Sequence, residues 1–137
     1  MVPLINEVFG WIWITGGMAT GVWLGLRFRD ERWLGGYSSW ARRMVRLGHI
    51  AMIMLGVLNV LFASSAARLG VGEMWMWVAS VGWIAGGVLM PSVCFLSALR
   101  QRFAVLFALP VVALLGASAL TVIGFMMTLL ARIGGGS

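Results

Sequence analysis

Residues 47–67 read LGHIAMIMLGVLNVLFASSAA. The stretch holds no Asp, Glu, Lys or Arg. At about 1.5 Å of rise per residue, a helix of this length reaches across the roughly 30 Å of hydrocarbon in a bilayer. Its apolar residues run continuously and do not alternate at every second position, which argues against a membrane barrel strand. Three further segments share this character, at about residues 4–26, 75–99 and 103–131. The expected fold class is an all-α integral membrane protein, a four-transmembrane-helix bundle. It forms a single domain over residues 1–133, followed by a flexible tail or appended linker at 134–137.

Composition agrees with this solvent. Hydrophobic residues make up 61% of the 137-residue chain and charged residues 10%, with a mean hydropathy of +0.99. A soluble domain carries about 25% charged residues. The first apolar run lacks a basic leader and is too long for the core of a cleaved signal peptide, so it is read as a span. All ten basic residues are Arg, against four acids, Glu7, Asp30, Glu31 and Glu73. The arginines lie between or at the ends of the apolar runs, which points to anionic lipid headgroups and not to nucleic acid.

Arginine placement sets the expected orientation. The loop 27–46 holds Arg27, Arg29, Arg32, Arg42, Arg43 and Arg46, and the short third loop holds Arg100 and Arg102. The opposite side has Arg68 and Arg132. This asymmetry places both basic loops in the cytoplasm and both termini outside, periplasmic in a bacterial inner membrane. Trp23, Trp33 and Trp40 fall near the cytoplasmic interface, and Trp75 and Trp77 near the outer one, with Trp11 and Trp13 deeper. An indole favours headgroup depth because a flat apolar ring carries one N–H donor. Trp83 is mid-span and is expected to pack against a neighbouring helix or a partner.

Loop 27–46 is the one sizeable element outside the spans. Gly35-Gly36 breaks it, and Ser38 or Ser39 is positioned to cap a helix running through Trp40, Arg42, Arg43 and Arg46 into the second span. The expected role is a juxtamembrane anchor whose arginines reach lipid phosphates or a docked partner.

Lipid tails are as apolar as leucine, so helices associate through close backbone approach and interhelical hydrogen bonds. Gly17, Gly21 and Gly25 lie at four-residue spacing in span one. Gly82 and Gly86 mark span three, and Ala113, Ala117 and Thr121 mark span four. In span two, His49, Gly56, Asn59 and Ala63 share a face. These small-residue faces are the expected helix contacts. Asn6 and Glu7 are placed at the outer end of span one, where they reach water. Pro91 and Pro110 fall inside spans three and four and are expected to kink them.

His49 is the sole histidine. Ionisable residues within a span are functional candidates by default. The plainest reading is a packing histidine, hydrogen-bonded toward Asn59 or to a carbonyl. The sharper one is a cofactor ligand, for haem or a quinone. Bis-histidine haem ligation needs a second imidazole, which this chain lacks, so haem would require a symmetric dimer, a partner's ligand or a methionine. Copper is disfavoured because Met52 and Met54 leave the helix on different faces, and Met74 and Met76 lie across the membrane from His49. The single cysteine, Cys94, reads as a small buried hydrophobe.

No paired carboxylates, nucleophile-and-base arrangement or phosphate loop is present. The leading expectation is therefore a non-catalytic membrane subunit, a scaffold or accessory component of a larger complex, with respiratory or electron-transfer assemblies as a candidate home. The alternatives are a small haem- or quinone-binding redox protein using His49, and a small transporter or channel formed by oligomerisation.

Overall fold

The computed structural model describes residues 1–70 and 73–134. The described residues are 91% helical and contain no strand. Four helices run in sequence: α1 (Val2–Arg27), α2 (Trp40–Leu69), α3 (Glu73–Leu99) and α4 (Ala108–Gly134). All four are long and apolar enough to cross a membrane. Gly134 is the last residue of α4, and the rest of the expected tail, 135–137, lies outside the described residues.

Local chemistry sets the helix ends. Ser39 is the N-cap of α2, its hydroxyl accepting from the Arg42 backbone N–H at 3.2 Å. This satisfies one of the orphan donors of a first turn. At the other end, Gly70 adopts φ 64 and returns its N–H to the Ala66 carbonyl at 3.1 Å. A left-handed residue closes a helix most cheaply when it is glycine. Between α1 and α2 the chain reverses through Leu34, Gly35 and Gly36, three successive positive-φ residues. Leu34 is held there by the Ser39 hydroxyl, which donates to its carbonyl at 2.6 Å.

The fourth span is preceded by a separate short turn. Gln101–Phe107 is a 3-10 helix, and the α-helix starts only at Ala108. Pro110 therefore sits in the first turn of α4, where a missing N–H leaves no helical bond unmade, and it is not an interior kink. Pro91 lies inside α3 as expected.

Each helix packs on the next, and α1 also touches α3. Helices α2 and α3 form the centre, with 39% and 44% of their most apolar stretches buried, against 17% for α1 and 11% for α4. The flanking helices turn Leu4, Val8, Ile12, Leu115 and Leu130 outward. Such a surface is stable against hydrocarbon and not against water. An apolar cluster joins Phe62 and Ala66 of α2 to Ala79 of α3, covered by Met76, Trp83, Leu120 and Phe125.

Candidate functional site

The interior holds a polar knot that ties three helices together. Asn6 of α1 donates from Nδ2 to Asn59 Oδ1 of α2 at 2.8 Å. The Ser80 hydroxyl of α3 donates to Asn6 Oδ1. Asn59 Nδ2 donates to its own helix at the Leu55 carbonyl, 2.9 Å, and across to the Trp83 carbonyl, 3.3 Å. Both asparagines are 0% exposed. Asn6 thus lies in the core and does not reach water as its position near the chain start implied. Its amide is satisfied on both ends by groups 53 and 74 residues away.

Two tryptophans extend the same logic. Trp13 of α1 donates to the Gly87 carbonyl of α3 at 2.8 Å. Trp83, half-buried, donates to Thr121 Oγ1 of α4 at 3.0 Å, and that hydroxyl donates in turn to the Ala117 carbonyl. The Trp83 indole N–H is therefore bonded within the chain.

The glycine faces meet unevenly. A Cβ on Gly10 would stand 2.6 Å from the Gly56 carbonyl oxygen, and one on Gly56 would stand 2.8 Å from the Gly10 carbonyl oxygen. Gly17 lies against Ile53, Gly82 against Ala117, and Gly86 against Leu114. Gly25 departs from expectation: a Cβ there would meet nothing within 4 Å. A helix turns about 100° per residue, so each four-residue step rotates by about 40° off a straight seam. A seven-residue step drifts back by only about 20°. The contact face accordingly follows Gly10, Gly17 and Leu24, with Asn6 and Trp13 in a parallel row beside them, and Leu24 is buried where Gly25 is exposed. A heptad reading of α1 finds Asn6 and Gly10 and drops Gly25.

The end of the bundle that carries loop 27–46 is organised differently. Arg42, in the first turn of α2, is 5% exposed. Its guanidinium donates to the Glu31 and Phe28 carbonyls, each at 3.0 Å, and lies 4.6 Å from the centre of the Phe28 ring. Arg42 is thus a clamp on the loop and not an outward-reaching side chain. One turn on, Arg46 lies 4.6 Å over the Tyr37 ring and donates to the Tyr37 carbonyl at 3.4 Å. These side chains line an open cleft of about 650 Å³ whose walls are Phe28, Glu31, Tyr37, Arg42 and Arg46. Trp40 donates to the Ser97 carbonyl of α3 at 3.0 Å, so its N–H is not available to a headgroup. Arg27 and Arg43 rest over Trp23 and Trp40 at 5.6 and 5.9 Å. Arg29 and Arg32 are exposed.

His49 lies deeper on α2, its ring seated on Gly21 of α1. A Cβ on Gly21 would stand 2.6 Å from the imidazole Cε1. Nδ1 is buried without a hydrogen-bond partner, so the expected bond toward Asn59 or a carbonyl is not formed. The two residues are ten positions apart on one helix, about 15 Å along its axis. Among the described residues, the buried side-chain atoms left unpaired are Arg42 Nε, His49 Nδ1 and Ser97 Oγ. All three lie toward the basic-loop end. No group of three or more His, Cys, Asp or Glu converges among the described residues. Compared with known proteins, the chain matches no family model, no curated protein and no solved structure.

Proposed function

We propose that the chain is a multi-pass integral membrane subunit that acts as a non-catalytic scaffold in a larger membrane complex. The observation that carries this reading is the Asn6–Asn59–Ser80 knot. The two buried asparagines and Ser80 spend their hydrogen bonds joining helix to helix, and among the described residues no group of three or more His, Cys, Asp or Glu converges. The apolar outer faces of α1 and α4 supply surface for lipid and for neighbouring subunits. In this reading the two basic loops face the cytoplasm and the termini face the periplasm.

Purification from native membranes in mild detergent tests the scaffold role. Larger subunits recovered in fixed stoichiometry support it, and a lone chain overturns it.

A second reading, a haem- or quinone-binding redox protein, draws on the unpaired Nδ1 of His49. It expects a visible or near-ultraviolet band in the purified complex that His49→Ala removes. Unchanged spectra and turnover in that variant would end it.

A further inference from the structure

We infer that the cleft above the first two turns of α2 is a binding site for a phosphate group, with Arg42 and Arg46 as its cationic floor. Four observations converge there. The first is a buried charge. The Arg42 guanidinium is almost wholly withdrawn from the surface, yet both of its hydrogen bonds go to backbone carbonyls and neither to a carboxylate. A buried charge is costly unless it is paired, and carbonyl dipoles offset only part of that cost.

The second is an unused donor. The Arg42 guanidinium carries five N–H groups in a fixed fork and commits two of them, one on Nη1 and one on Nη2, while the enclosed Nε stays unbonded. The third is a like-charge pair. Arg42 and Arg46 are four residues apart on one helix face and line the same cleft. Two cations at this spacing repel, and the single carboxylate in the wall, Glu31, offsets only one of the two charges. The fourth is size and shape: about 650 Å³ lies within the range of small-ligand sites, with Phe28 and Tyr37 as walls.

A phosphate ester suits this floor because its oxygens accept from guanidinium forks in a bidentate manner. Glu31 lines the same cleft and opposes an anion, so it sets an upper limit on affinity that a variant can lift. Two sources carry this chemistry: the headgroup of an anionic lipid at the membrane surface, and free phosphate in solution. The site is independent of whether the chain has protein partners.

The test uses the full chain with two probes. Retention of phosphatidylglycerol against phosphatidylcholine is measured by native mass spectrometry from a nonionic detergent. Inorganic phosphate is titrated calorimetrically into the chain held in phosphatidylcholine discs. Arg46→Gln is expected to weaken binding by about tenfold or more, the usual worth of a charged hydrogen bond. Arg46→Lys keeps the charge but loses the fork, and recovers only part of the affinity. Glu31→Gln tightens binding. Arg29→Gln, an exposed arginine outside the cleft, leaves binding within about twofold while removing the same net charge.

This pattern with phosphatidylglycerol assigns a lipid headgroup, and the same pattern with inorganic phosphate assigns a soluble one. Equal losses in Arg29→Gln and Arg46→Gln would reduce the effect to overall charge and overturn the site, as would binding of neither probe.

Discussion

Asn6 and Asn59 share a 2.8 Å hydrogen bond across 53 residues of sequence, with both side chains fully buried. The bond joins the start of α1 to the middle of α2, and Ser80 brings in α3. In a bilayer the hydrophobic effect does not distinguish one helix partner from another. A directional polar contact does, because a mispaired amide has nowhere else to bond.

Replacing one partner tests this pairing. Asn59→Leu leaves the Asn6 amide buried and short of an acceptor, and is expected to destabilise the bundle by about 1–3 kcal/mol. The double variant Asn6→Leu/Asn59→Leu should cost less than the two single changes added. Interhelical bonds in membranes couple by about 0.6 kcal/mol on average and by at most about 1.7 kcal/mol. Reversible unfolding of the four forms in mixed micelles measures the coupling, and additive losses would show the contact to be energetically idle.

The two kinds of glycine in α1 should respond in opposite ways. Gly10→Ala drives a methyl toward the Gly56 carbonyl, forcing α1 and α2 apart. A cost of about 1–3 kcal/mol is expected for such overpacking. Gly25→Ala meets open space and is expected to be neutral or to gain up to about 1 kcal/mol from helix propensity. Thermal denaturation of the two variants side by side decides whether the seam follows the heptad.

The loop reversal makes a local prediction. Gly36 adopts φ 91 and ψ 173, a region essentially restricted to glycine. Gly36→Ala is expected to cost about 1–3 kcal/mol and to loosen the turn that seats Tyr37 beside Arg46. Hydrogen exchange across residues 28–40 should quicken, while the core of α3 keeps its protection.

Cys94 offers a reporter of the fold. It is fully buried, and a side chain on Gly48 would press on it at 3.1 Å. A maleimide is expected to leave it unmodified in the folded protein and to label it fully once the bundle is unfolded in denaturing detergent. Rapid labelling of the folded protein would contradict the α2–α3 packing.

Orientation is checked by reporter fusions. Fusions within residues 27–46 and at Arg100–Arg102 are expected to report the cytoplasm, and fusions at either terminus the opposite side. Moving basic residues from the 27–46 loop to the α2–α3 connection should weaken that preference.

Much of the architecture is legible in the sequence because its causes are local. Continuous apolar runs between arginine-bearing segments dictate four helices long enough to cross a bilayer, and Ser39 and Gly35-Gly36 announce the start of α2. Which residues then meet is a tertiary matter. Asn6 reads as a surface residue until Asn59 and Ser80 close around it from two other helices. Gly25 belongs to a regular small-residue row, yet helix rotation turns it away from the seam while Gly10 is carried into it. Arg42 is one of six arginines in the loop by sequence, and only the folded turn buries it against Phe28 and Glu31. Hydropathy and capping act over a few residues and survive reading along the chain. Pairing across helices depends on crossing geometry and register, which the three-dimensional packing alone decides.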